Sequence, residues 1–150
     1  MVDELRAHIA AEIERGTRSA KDAAAAATHE ENKAEGDKDM RATEASYVAR
    51  GQAERVRELD AALLKLAGMP IKAFGPADRA AASAVVDVDD GRKVVTYFLV
   101  TAAGGIALGD LKTLATTSPL GAALLGLAEG DEAEVTTPQG TKSYTVRALR

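Results

Sequence analysis

Helix breakers are distributed unevenly along this chain, and that distribution limits what it can fold into. All four prolines lie at or after Pro70, and ten of the thirteen glycines lie at or after Gly68. Residues 1–67 are therefore free to run as long helices, whereas the remainder is punctuated by turns. Gly68-Met69-Pro70 reads as a helix stop. The expectation is a helical part over 1–68 and a turn-rich part over 69–150.

The first part carries a helical period. Leu59, Leu63 and Leu66 follow Val56 in steps of three and four, and the register continues backward through Gln52, Ala49, Ala45 and Ala42. Ile9 and Ile13 lead in the same rhythm to Gly16, Ala20, Ala23 and Ala27. Alternating steps of three and four make a coiled-coil seam. Folded back on itself, the chain pairs Ile9 with Leu63, Ile13 with Leu59, Gly16 with Val56, Ala20 with Gln52, Ala23 with Ala49 and Ala27 with Ala45. Each pair of positions totals 72, so the centre of symmetry is residue 36, a glycine. Glycine takes the positive φ of a reversal at no steric cost. The pattern predicts an antiparallel two-helix hairpin, each helix about 30 residues and roughly 45 Å long at 1.5 Å per residue. Its seam is graded, with Ile, Leu and Val at the base and alanine toward the turn. Alanine contacts bury little area, so the distal hairpin is slim and less stable than the base.

The segment around the turn, residues 29–39, holds five acidic and two basic side chains. Glu35 and Asp37 flank Gly36, with Glu31 and Asp39 one turn back along each helix. Clustered carboxylates are hard oxygen ligands suited to Mg²⁺ shared with a phosphate substrate. The same residues also suit a solvated helix turn, where acids favour the start of the second helix. His8 and His29 read as ordinary exposed helical histidines.

Composition excludes several function classes. There is no cysteine, so no disulfide framework and no thiolate metal site is present, as suits a reducing cytoplasm. No stretch approaches the roughly 18 to 20 apolar residues of a membrane span, and the acidic start Met1-Val2-Asp3-Glu4-Leu5 lacks a signal-peptide core. A net charge of −4 does not suit direct wrapping of DNA. No phosphate-loop or dinucleotide motif and no nucleophilic triad is present. The chain is expected to have no cofactor of its own, not to be an enzyme, and to be a monomer, since the hairpin pairs internally.

In the second part, Ala84–Val88 and Lys93–Val100 read as strands joined by the turn Asp89-Asp90-Gly91. Asp87, Asp89 and Asp90 invite a calcium reading, but Gly91 and the residues after it do not follow the spacing of a calcium loop. Ser118 is an N-cap with Pro119 at the first helical position, opening a short helix over 120–127. Residues 132–137 and 143–149 read as two strands around Pro138-Gln139-Gly140. The fold class is therefore α+β.

The run Ser118-Pro119-Leu120-Gly121-Ala122-Ala123-Leu124-Leu125-Gly126, then Gly130-Asp131-Glu132-Ala133-Glu134-Val135, then Pro138-Gln139-Gly140 and Tyr144-Thr145-Val146, resembles the C-terminal domain of the GreA/GreB transcript cleavage factors. The resemblance covers about 33 ordered residues. It implies an FKBP-like domain that docks on RNA polymerase at its secondary channel, with Ser118, Pro119 and Leu120 in the contact. It further implies that the acidic hairpin end reaches the polymerase active site and stimulates cleavage of backtracked RNA. Glu35 and Asp37, with Glu31 and Asp39 in reserve, would then share Mg²⁺ with the polymerase, and the RNA 3′ end would be met only through it. The family's hairpin end reads roughly Gly-Asp-Leu-Ser-Glu-Asn-Ala-Glu-Tyr. Aligned from the hairpin base without gaps, this chain places Glu35 on the Asp but Lys38 on the first Glu, which opens the alternative of a noncleaving secondary-channel regulator. An FKBP-like fold also raises prolyl isomerisation, but Phe74, Tyr97, Phe98 and Tyr144 are few aromatics for such a pocket.

Overall fold

The computed structural model describes the backbone of residues 1–31 and 38–150, and side-chain surroundings for all but residues 30–42. The chain divides into two compact units, Val2–Leu63 and Leu64–Arg150 with Met1. The fold class is α+β: two long helices precede a six-stranded mixed sheet that carries one short helix.

Helix α1 spans Val2–Glu31 and α2 spans Lys38–Ala67, 30 residues each. Asp3 and Glu4 lie in the first turn of α1 and Lys65 in the last turn of α2, each complementing the helix dipole. Every described seam position faces inward. Ile9, Ala27 and Leu59 are buried, and Ile13, Gly16, Ala20, Ala23, Ala45, Ala49, Gln52, Val56 and Leu63 are half-buried. The flanking positions Glu14, Arg18, Glu54 and Glu58 are exposed. The register agrees with the inverted pairing: a Cβ placed on Gly16 would lie 2.9 Å from Val56 Cγ2. Arg55 also reaches across to Glu12 at 3.9 Å. The turn expected at Gly36 lies outside the described residues.

The sheet runs in the order β3-β4-β2-β1-β6-β5. Its strands are β1 (Val85–Asp89), β2 (Val94–Val100), β3 (Ala107–Leu108), β4 (Leu111–Ala115), β5 (Glu132–Thr137) and β6 (Gly140–Leu149), with helix α3 (Pro119–Leu124) between β4 and β5. β1 and β2 form the expected antiparallel hairpin. Its turn is closed by Asp89, which accepts from Gly91 N at 2.8 Å, and by Asp90, which accepts from Lys93 N at 2.9 Å. Gly91 takes the φ of 81° that such a turn needs.

One face of the sheet buries Val86, Val88, Leu99, Ala133, Val146 and Leu149 against Leu124 of α3, Ala80 and Ala84. Val146 and Leu149 are three apart, which strict alternation would place on opposite faces. A bulge resolves this: Ala148 pairs with Asp87 and Val146 with Val88, so Arg147 is the extra residue. Both apolar side chains then reach the core, while Arg147 and Arg150 point to the other face beside Asp89 and Asp87.

Three details differ from the sequence reading. β3 and β4 were not expected, and β4 pairs with β2 in parallel, Thr96 beside Leu111 through Val100 beside Ala115. α3 stops at Leu124 rather than 127, because Leu125 leaves helical geometry at ψ 130° and Gly126 turns at φ 81°. β6 starts at Gly140 rather than 143, because Pro138-Gln139 alone suffices for the turn and Thr137 still pairs with Gly140.

Candidate functional site

The end of β4 and the start of α3 form the corner on which the motif Ser118-Pro119-Leu120-Gly121 sits. Ser118 is extended at φ −73°, ψ 157°, and caps the helix: its hydroxyl accepts from Gly121 N at 3.1 Å. The same hydroxyl donates to Ala115 O at 2.7 Å, and Ser118 N donates to that oxygen at 2.9 Å. Pro119 takes the first helical position, where a missing N–H costs nothing. Gly121 has to be glycine, because a Cβ there would lie 2.0 Å from Ala115 O. On the other side of Ala115, a Cβ on Gly104 would lie 2.6 Å from Ala115 N. Two glycines thus clasp one residue of β4 and fix where α3 begins.

This geometry decides which side chains of α3 are available. Leu120, Ala123, Leu124 and Leu127 pack toward the core. Pro119, Ala122 and Leu125 are exposed, Leu125 to 42%. Pro119 and Ala122 on α3, with Leu125 just past its end, make up an exposed apolar stripe. The loop before β1 is stitched to its end: Ala80 N donates to Leu127 O at 2.7 Å and Gly126 N to Ala80 O at 2.8 Å. Arg79, exposed, donates to Gly126 O at 2.9 Å, which holds its guanidinium at the turn after α3. Of the three contact residues expected from sequence, Ser118 spends its hydroxyl on the cap, Leu120 packs inward and Pro119 is exposed. Ala122, Leu125 and Arg79, exposed at the same corner, were not among the residues expected from sequence. The first two were visible as the three-residue spacing from Pro119, but Arg79 lies too far away in sequence to show.

Glu35 and Asp37 lie outside the described residues. Glu31 ends α1 and Asp39 follows the first residue of α2, and their side chains also lie outside the described set. Among the described residues no group of His, Asp or Glu could hold a metal ion. The Asp87, Asp89 and Asp90 cluster is engaged elsewhere. Asp87 accepts from Arg150 at 2.7 Å and from Thr96 at 2.7 Å, and Asp89 accepts from Arg147 at 2.7 Å. The guanidinium hydrogen bond holds the Asp87 carboxyl below its ordinary range despite partial burial, and Arg147 does the same at Asp89. The Lys93 and Arg92 amides lower Asp90. These are turn and sheet contacts, as the sequence reading preferred over calcium.

Residues 75–150 match the family model described as "Transcription elongation factor, GreA/GreB, C-term". The chain is 30% identical over 100 residues to the transcription elongation factor GreA of Methylococcus capsulatus, covering 64% of this chain and 61% of that one. It is 42% identical over 84 residues to GreA of Rickettsia felis, covering 55% of this chain and 45% of the relative. The matches thus span about half to three fifths of the length of these relatives. Among solved structures, the GreA factor homolog 1 of Thermus thermophilus aligns over 97% of this chain and 94% of its own, at 18% identity and a TM-score of 0.42. No helix among the described residues is long and apolar enough to cross a membrane.

Proposed function

The chain belongs to the GreA/GreB family of transcription elongation factors, and on that premise we propose that it is a cytoplasmic accessory factor of RNA polymerase that stimulates cleavage of backtracked RNA. The family match over residues 75–150, preceded by a two-helix hairpin, is the observation that carries this reading. The sheet unit would dock at the mouth of the secondary channel through the α3 corner. Pro119, Ala122 and Leu125 would supply apolar contact area there, with Arg79 at its rim. Aliphatic side chains ringed by a cation suit the desolvated centre and polar edge of a protein interface.

The hairpin would extend its acidic end toward the polymerase active site. Glu35 and Asp37, with Glu31 and Asp39 in reserve, offer the oxygen donors that suit Mg²⁺. Such an ion, shared with the polymerase, would supply an activated water for phosphodiester cleavage. The chain's own residues hold and orient, and the polymerase supplies the rest of the catalytic machinery. The isolated chain is therefore expected to be no nuclease.

The test is a stalled, backtracked elongation complex with and without the chain. Shortening of the RNA from its 3′ end that is lost in the double variant Glu35→Ala, Asp37→Ala supports the proposal; no shortening overturns it. One sequence observation favours a second reading. Lys38 falls where the family's hairpin end carries its second metal-binding carboxylate, so the chain would instead be a noncleaving regulator. That reading expects competition with a cleaving family member for polymerase, and unchanged or reduced RNA shortening.

A further inference from the structure

The seam of the hairpin changes character at one level, and three residues there point the same way. Gly16 on α1 brings the helices together at Val56, where a Cβ would lie 2.9 Å from Val56 Cγ2. Gln52, one turn before Val56 on α2, sets a polar side chain into the seam where every other described position from Ile9 to Ala27 and from Ala45 to Leu63 is apolar or glycine. Gly51 lies in the interior of α2, exposed, and a Cβ on it would meet nothing within 4 Å. No contact within the hairpin requires glycine at this position, and helix-interior glycine weakens the helix relative to alanine.

The packing beside these residues is open on both sides. One groove of 320 Å³ is lined by residues that include Gly16, Ser19, Gln52 and Leu59. A second, of 470 Å³, is lined by residues that include Ala20, Ala24, Ala49, Ala53 and Val56. Both grooves open to solvent, so the seam side chains along them pack on fewer neighbours than a closed core would give. Below this level Ile9 and Leu59 are buried. Above it the described seam is alanine only.

We infer that Gly16, Gly51 and Gln52 form a soft joint in the hairpin, at which residues 17–29 and 43–50 open and bend independently of the base. The joint makes these two helix segments a separate opening unit of low local stability. Its residues are those of the hairpin alone, so the inference holds whatever the hairpin end does on a partner.

Amide hydrogen exchange of the full chain at neutral pH, read by peptide mass spectrometry, tests it. Peptides covering 45–53 are expected to exchange at least about tenfold faster than peptides covering 57–63, as low local stability requires. Gly51→Ala adds helix propensity with no clash and is expected to slow exchange across 45–53 by about fivefold, leaving 57–63 unchanged. Gln52→Leu, which extends the apolar seam, is expected to act in the same direction. Equal exchange rates in the two regions, or rates in 45–53 that neither variant alters, would overturn the joint.

Discussion

Gly121 approaches the carbonyl of Ala115 so closely that a methyl group on its α-carbon would lie 2.0 Å from the oxygen. No side chain fits there, and the atom in the way belongs to backbone already bonded to Ser118. Gly121→Ala is therefore expected to displace α3 from β4 and to cost at least about 3 kcal/mol, beyond ordinary overpacking. Urea unfolding of the full chain measures it. A loss below about 1 kcal/mol would mean that the corner is not as tight as its geometry.

Ser118 and Leu125 sit on one corner but do different work, so their variants should separate. Ser118→Ala removes a cap and is expected to lower stability by about 1 kcal/mol. Leu125→Glu alters an exposed side chain and should leave stability within about 0.5 kcal/mol. If the α3 stripe is the docking face, Leu125→Glu should nevertheless weaken polymerase binding by an order of magnitude or more. Unfolding and pull-down titrations on the same preparations read both effects.

Asp87, Asp89 and Asp90 all have carboxyl groups held below the ordinary value of 3.8 in the folded chain, chiefly by Arg150, Arg147 and the Lys93 amide respectively. A carboxyl with a depressed folded pKa stabilises the fold above its unfolded value, and that contribution fades as pH falls through the folded value. The sheet is thus expected to keep this contribution at neutral pH and lose it progressively below about pH 4. Arg150→Leu and Arg147→Leu should each flatten the decline between pH 5 and pH 2 in urea midpoints, by a modest amount because both guanidinium groups are exposed to solvent.

Leu59 is buried at the base of the hairpin, and Gly16 presses on Val56 at the level of the joint above it. Leu59→Ala is expected to cost about 2 to 5 kcal/mol of hairpin stability. Gly16→Val forces Val56 outward and is expected to cost about 1 to 3 kcal/mol, in contrast to the gain expected at Gly51. Circular dichroism during thermal melting distinguishes the three variants.

Ala103 adopts φ 59° without being glycine. Left-handed backbone costs an L-residue roughly 1 kcal/mol, so Ala103→Gly is expected to raise stability by up to about 1 kcal/mol. Its carbonyl would still accept from Thr113 Oγ1, at 2.6 Å in the present chain. A fall in the urea midpoint would refute the assignment of strain.

The hairpin was legible because its signal is periodic and redundant. Two seams mirror each other, and Gly16 with Val56 realises the expected pairing. The β1–β2 turn was legible because Asp-Asp-Gly has few other uses. β4 was not. Leu111-Lys112-Thr113-Leu114-Ala115 does not alternate, since its most buried residue is Thr113. That hydroxyl is satisfied only by tertiary partners, donating to Ala103 O and accepting from Ile106 N at 2.9 Å. Its parallel pairing with β2 has no local mark. The Gly109-Asp110 link between β3 and β4 was the available clue. At the α3 corner the sequence marked the cap and helix start, while the exposed stripe depended on which side the core took.

The position of β1 at the centre of the sheet has a consequence for how the domain is born. Its neighbour β2 begins five residues after it ends, but its other neighbour is β6, with Val86 beside Leu149. The first pairing closes a short loop, whereas the second waits for more than fifty intervening residues, and such long-range contacts set the pace of folding. On a ribosome, β1 and β2 can pair early, but the Val86, Val88, Val146 and Leu149 core closes only after the last strand has cleared the exit tunnel. Until then β1 keeps an unpaired edge and an uncovered valine face, a state that favours rapid completion of synthesis or transient protection by a chaperone.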